Sequence, residues 1–218
     1  MKLASLAALA GTAFIFVAHA QQEFSPPQGK GRVVVVASGM SGPEHYTTVS
    51  RELAALGFDV VLFDSNPMEG TRGDGLHSAI LQAQQMPHAL PGKVALVGFS
   101  LGGGLSLYYG TQWPDLISGV IAWYPATTFI KDVPGFAARL KMPVLMFAGE
   151  KDTYRNCCLV ANAHTLADAA KSAGQPFDLI TYPKTEHDFV KGGSHFNSEA
   201  YKDAFTRTSA RLKELLGN

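Results

Sequence analysis

The sequence predicts a single α/β domain, a mostly parallel sheet with helices on both faces. Three observations lead there. Short runs that are apolar throughout alternate with segments of helical period. One such run breaks off into Gly98-Phe99-Ser100-Leu101-Gly102, with two more glycines behind it. The chain has 218 residues, 46% hydrophobic and 17% charged, which suits one core and is too apolar for disorder. A strand that is apolar on both faces must be covered on both, and intervening helices make the pairing parallel through right-handed crossovers.

Taken in order, the first twenty residues stand apart. Met1-Lys2 gives a positive start, Leu3 to Val17 is uncharged and mostly apolar, and Ala18-His19-Ala20 places small residues around a larger one. This is the pattern of a secretory signal cut before Gln21. The apolar run is short for a membrane span, which takes about 20 residues. Residues 1–20 are therefore read as a signal peptide of an exported protein, with no membrane span after cleavage; an uncleaved anchor is the alternative. Residues 21–31, polar and rich in Pro and Gly, read as a flexible lead-in, and 32–218 as the domain. Within it, RVVVVAS at 32–38 is a strand, and residues 46–57 carry Val49, Leu53, Ala54 and Leu56 at near-helical spacing. Strands follow at 58–63, 93–98, 118–124, 143–148 and 177–182. Helices are expected at 76–86, 101–109, 158–173 and 199–216. The last shows one face of Tyr201, Ala204, Phe205, Thr208, Leu212 and Leu215.

Charge and cysteine content narrow the function. The formal net charge is zero, so no basic excess points to nucleic acid. Cys157 and Cys158 are the only cysteines. Adjacent Cα atoms lie about 3.8 Å apart, below the usual disulfide range, so the pair reads as two thiols, at least one buried, with a strained vicinal disulfide as the alternative. Cys-Cys without a second ligand pair is a poor metal signal, and no metal is expected. The first strand is not followed by G-x-G-x-x-G, so no dinucleotide cofactor is expected either.

The glycine-flanked serine carries the chemistry. A strand turning directly into a helix crowds its backbone, and glycine on either side of Ser100 removes the clashing Cβ atoms. The serine is then displayed at the corner, and the free N–H of Leu101 in the helix's first turn can bind a developing oxyanion. A serine hydroxyl needs a base to take its proton and a carboxylate to orient that base. On this architecture they follow in the order acid, then histidine. Asp152 stands just past the strand 143–148. Glu150 competes from two residues earlier but leaves the strand sooner. Of three later histidines, His164 lies within a helical pattern, while His187 follows the strand 177–182 closely. His195 is eight residues further on, in a Gly-Gly-Ser loop. Ser100, Asp152 and His187 are the expected catalytic set.

The elbow GFSLGG, the Gly149-Glu150-Lys151-Asp152 turn and the His187-Asp188-Phe189 loop before HDF…SEAYKDAFTRTSARL resemble the dienelactone hydrolase family of α/β-hydrolases, from about Arg32 to Leu216. The resemblance implies the α/β-hydrolase fold with eight or slightly fewer strands and a minimal or absent cap. It implies no metal or organic cofactor, and hydrolysis of small-molecule esters or lactones. The founding members of the family have cysteine at the elbow where this chain has Ser100, which moves the expectation from dienelactone toward general carboxylic esters. The loop Ala37-Ser38-Gly39-Met40-Ser41-Gly42 resembles the family's His-Gly-x-x-Gly loop with Ser38 in the histidine's place, and by that match Met40 supplies the second oxyanion amide. The segment 125–142 is a candidate flap. Tyr124, Phe129, Tyr154 and Phe189 are candidate pocket residues, with Trp123 beside them, and Arg155 is a candidate for a substrate carboxylate. Thioesterase, peptidase or acyltransferase chemistry would use the same triad, and a non-catalytic exported binding protein is the alternative of another class.

Overall fold

The computed structural model describes residues 21–66 and 73–217; the signal peptide expected over 1–20 lies outside them. Among the described residues, seven strands form one sheet in the order β1-β3-β2-β4-β5-β6-β7. They are β1 (Gln21–Phe24), β2 (Val33–Ala37), β3 (Asp59–Phe63), β4 (Val94–Phe99), β5 (Ile117–Trp123), β6 (Val144–Gly149) and β7 (Phe177–Tyr182). β1 pairs antiparallel with β3 and every other pairing is parallel. The helices are α1 (Thr47–Ala55), α2 (Asp74–Ala83), α3 (Leu101–Tyr108), α4 (Val133–Arg139), α5 (Val160–Ser172) and α6 (Ser198–Leu216).

The two-residue period of the strands divides the core. Val33 and Val35 face one side with Leu76, Ile80, Leu107, Phe136 and Leu166, from α2 to α5. Val34 and Val36 face the other with Leu53 of α1 and Tyr201, Ala204 and Leu212 of α6. Both faces are thus covered, as runs such as VVVVA require. Trp123 is fully buried and donates its indole N–H to Thr208 Oγ1 of α6 at 3.2 Å, fastening that helix to the sheet.

Two stretches differ from the sequence reading. Gln21–Phe24 belongs to no flexible lead-in: it forms β1, in register from Gln21 opposite Phe63 to Phe24 opposite Val60. Its alternation is weak because it is a half-exposed edge strand, and its pairing is supplied by β3. The segment 125–142 is no flap. It contains α4, which starts on Asp132 accepting the Gly135 N–H and buries Phe136, Ala137 and Leu140 in the core.

Asp59, at the start of β3, is fully buried. Burial and the facing Glu23 carboxylate push its carboxyl up to about 6.

The chain steps outward from β2 to β3, then returns to place β4 on the other side of β2. The switch point therefore lies at the carboxyl ends of β2 and β4, where a crevice opens in sheets of this kind. Ser38–Met40 and Ser100 emerge there.

Candidate active site

Ser100 sits between β4 and α3 at φ 49°, ψ −114°. Its strained backbone is held on several sides: its N–H donates to Trp123 O at 3.0 Å, and its carbonyl accepts from Gly104 and Ala126 N–H at 3.0 and 2.8 Å. The flanking glycines have steric causes. A Cβ on Gly98 would lie 2.5 Å from Gly102 O, and one on Gly102 would lie 2.3 Å from Ala37 O and 2.4 Å from Ser38 O. The elbow can lie this close to the end of β2 only without those methyl groups.

The other two groups come from the ends of β6 and β7. Asp152 follows β6 by three residues and His187 follows β7 by five. His187 Nε2 is 3.0 Å from Ser100 Oγ, and His187 Nδ1 is 2.7 Å from Asp152 Oδ2. A carboxylate only accepts, so Nδ1 carries the imidazole proton and Nε2 is left to accept from the serine hydroxyl. The Asp152 side chain is 0% exposed and that of His187 9%. The other Asp152 oxygen accepts the Tyr154 N–H at 3.0 Å. His187 is gripped by two rings: Tyr154 stacks on it at 4.5 Å and 5°, and Tyr124 meets it edge-on at 4.8 Å and 71°.

The competing groups are engaged by other partners or lie exposed, and none bonds Ser100 or Asp152. Glu150 accepts from Thr181 Oγ1, His195 pairs with Glu186 at 3.3 Å, and His164 is exposed. A cavity of about 130 Å³ opens on Ser100 and His187, lined also by Met40, Ser41, Tyr46, Tyr154, Asp188, Ser194 and His195. Tyr154 and Met40 therefore reach the pocket, and Tyr124 backs the histidine. Of the expected pocket residues only Tyr154 lines it: Tyr124 and Trp123 stay behind the wall, and three others turn away. Phe129 turns to Tyr108, Phe189 is buried against Trp123 and Tyr182, and the Arg155 guanidinium lies over the outer Tyr154 ring. Leu101, as the first residue of α3, presents its amide at the elbow.

The cysteines also differ from expectation. Cys157 and Cys158 are joined in a disulfide with Cα atoms 3.8 Å apart. The bridge closes a turn in which Arg155 and Asn156 both take left-handed conformations, at φ 46° and 54°. General spacing rules weigh against such a bridge, which is therefore the less expected of the two states open to the pair. Cys158 Sγ lies within 4.8 Å of the ligand atoms of Asp152 and His187, so the bridge abuts that pair.

The sequence reading missed a polar wall on the β2 side of the pocket. Asp188, at φ 59°, accepts from Ser194 N–H and Oγ at 2.9 and 3.2 Å and from the Tyr124 hydroxyl at 3.4 Å, and lies 2.8 Å from His45 Nε2. The Tyr46 hydroxyl accepts the Gly39 N–H and bonds Tyr124. Burial, then the Asp188 carboxylate, holds the Tyr46 phenol well above its ordinary range, so it stays protonated. Contacts between residues more than a hundred positions apart leave no local signal; the adjacency of Asp188 to His187 was the one available clue.

A seven-stranded, mostly parallel sheet with a serine elbow at its switch point defines an α/β-hydrolase fold. The chain belongs to the dienelactone hydrolase family, whose model matches residues 65–216. It is 30% identical over 133 residues to Protein usf of Aquifex pyrophilus, covering 58% of this chain and 53% of that one; the chain thus spans about half the length of the curated relatives it matches. Among solved structures it resembles the dienelactone hydrolase-like promiscuous phosphotriesterase P91 from metagenomic libraries, at TM-score 0.71, 21% identity and coverage of 87% and 89%. It also resembles Est1E from Butyrivibrio proteoclasticus, at TM-score 0.65, 15% identity and coverage of 89% and 91%.

Proposed function

We propose that this chain is an exported serine hydrolase that cleaves small carboxylic esters or lactones through a Ser100–His187–Asp152 triad. The observation that carries the reading is the continuous pair of contacts, 3.0 Å from Ser100 Oγ to His187 Nε2 and 2.7 Å from His187 Nδ1 to Asp152. His187 takes the hydroxyl proton as Ser100 attacks the ester carbonyl carbon. The tetrahedral oxyanion is held by the Leu101 and Met40 amides. His187 returns the proton to the leaving alcohol oxygen, leaving an acyl-serine. It then deprotonates water, whose attack releases the acid and restores the serine. Asp152 stabilises the imidazolium formed in each half-reaction.

The cavity of about 130 Å³ favours a short acyl group. Its lining contains no lysine or arginine among the described residues, and Asp188 contributes a carboxylate. Uncharged esters therefore suit it better than lactones that bear a carboxylate. Export rests on the Met1–Ala20 pattern.

The test is hydrolysis of p-nitrophenyl acetate and butyrate by the protein beside Ser100→Ala and His187→Ala. Each variant is expected to lose on the order of 10³-fold or more in kcat. Equal turnover in all three would refute the triad. No turnover in any, with the fold intact by circular dichroism, would refute the esterase reading in favour of a binding protein.

A further inference from the structure

At the opposite pole of the sheet from Ser100, three ligand-type side chains converge from separate elements. Asp59 opens β3 and Glu23 lies on β1, opposite Val61, on the same face and one diagonal step away. His88 comes from the turn after α2, where its carbonyl accepts the Gly31 N–H at 2.9 Å and Leu90 N–H returns to Gly31 O at 2.8 Å. These backbone bonds fix the histidine's place beside the strands. The carboxylate oxygens of Glu23 and Asp59 and the nitrogen of His88 lie within 4.8 Å of one another.

The second observation is Asp59 itself. Its side chain is fully buried, and among the described residues no N–H, lysine or arginine reaches either oxygen; its polar partner is the Glu23 carboxyl. Two carboxyls held together out of water repel when both are charged, and a cation between them removes that repulsion. No lysine or arginine shares the cluster. The groups facing Asp59 are one further carboxylate and one imidazole, which suits a cation placed between them.

We propose that Glu23, Asp59 and His88 bind a divalent transition-metal ion that staples the edge strand β1 to the sheet. Two carboxylates and an imidazole form a mixed oxygen and nitrogen set of the kind that takes Zn²⁺ and its neighbours, with water completing the shell. Metal–ligand bonds of about 2.1 Å put neighbouring ligand atoms about 3.0–3.4 Å apart. Glu23 Oε1 and His88 Nδ1 are already 3.0 Å apart. Ser25 Oγ, 3.0 Å from the same nitrogen, stands where it can bond a metal-bound water. The partly exposed Glu23 and His88 side chains provide the way in. The site is remote from the triad, so it stands or falls independently of the hydrolase reading.

The experiment uses chelator-treated, dialysed protein, with Zn²⁺ alone as the probe. Calorimetry counts sites, a thermal melt reads stabilisation, and hydrogen exchange follows the Gln21–Phe24 amides. Wild-type protein is expected to bind Zn²⁺ here. Its melting temperature should rise by roughly 5–10 °C at a hundredfold excess over Kd, with slower exchange in β1. Glu23→Gln and His88→Ala, both at partly exposed positions, should each remove that site and its shifts, while His195→Ala keeps them. No Zn²⁺ response in wild type, or a response unchanged in the Glu23 and His88 variants, would overturn the proposal. An equal response to Mg²⁺ would overturn it too, because an imidazole ligand selects against that ion.

Discussion

Gly102→Ala tests whether the elbow depends on contact between two backbones. The added Cβ would lie 2.3 Å from Ala37 O, 2.4 Å from Ser38 O and 2.5 Å from Ala37 C. Normal contacts start above about 3 Å, so the end of β2 and the start of α3 must part by roughly an ångström, and backbone cannot rotate aside as a side chain would. Gly102 N–H also donates to Ser38 O at 3.1 Å, and that bond would lengthen with the separation. Overpacking of this kind costs about 1–3 kcal/mol, or roughly 2–12 °C in melting temperature for a chain of this size. The larger effect is on rate. The separation moves the Ser38–Met40 loop away from Ser100, and misplacement by about 1 Å costs on the order of 10²-fold. The assay pairs a thermal melt with kcat on p-nitrophenyl acetate. Gly29→Ala is the control: φ there is +62° but nothing lies within 4 Å, so it should cost about 1 kcal/mol of backbone strain and leave kcat unchanged. A Gly102→Ala protein that melts within a degree of wild type with full kcat would refute the steric account of the elbow.

Asp152→Asn should lower kcat by on the order of 10³–10⁴-fold with little change in KM, because an amide at this place no longer fixes the proton on Nδ1; steady-state kinetics read the split. Tyr154→Ala removes the ring stacked at 4.5 Å on His187 and should cost about tenfold in kcat, with Tyr154→Phe restoring it, since the stacking face and not the hydroxyl does the positioning. Thiol titration of denatured, unreduced protein should find none of the two cysteines free, and both after reduction; two free thiols without reductant would contradict the Cys157–Cys158 bridge.

What the sequence disclosed and what it hid follow one physical division. Apolar runs such as VVVVA and VALVGF must be buried whatever surrounds them, so β2 to β6 were legible to within a residue or two. The elbow was legible because its glycines answer a local steric need. β1 was hidden because QQEF gains its structure from Asp59–Phe63, thirty-five or more residues later. α4 is short and carries Pro134 and Gly135, so its stretch reads only as a candidate flap. Proline in a helix's first turn costs no hydrogen bond, and the Asp132 cap beside it was the clue to weigh. Phe129 and Phe189 were placed in the pocket by type alone, although an aromatic near an active site is as readily core.

The same division governs the site. Ser100, Asp152 and His187 hang on short leads from β4, β6 and β7, and Tyr124, which backs the histidine, from β5. Short leads from stiff parallel strands leave little freedom, so on the proposed reading the reacting atoms are positioned before any substrate arrives. The facing wall is built differently. Met40, Ser41 and Tyr46 come from the longer path between β2 and α1, and Asp188, Ser194 and His195 from the path between β7 and α6. Those two paths meet through His45 and Asp188, 143 positions apart. Chemistry is thus assigned to strand ends and fit to the loops, so His45→Ala, which releases Asp188 without touching the triad, should change KM across a series of acyl lengths while leaving kcat on the acetate ester near wild type. A loss of kcat equal to that of Asp152→Asn would mean that the wall also holds the reacting groups in place.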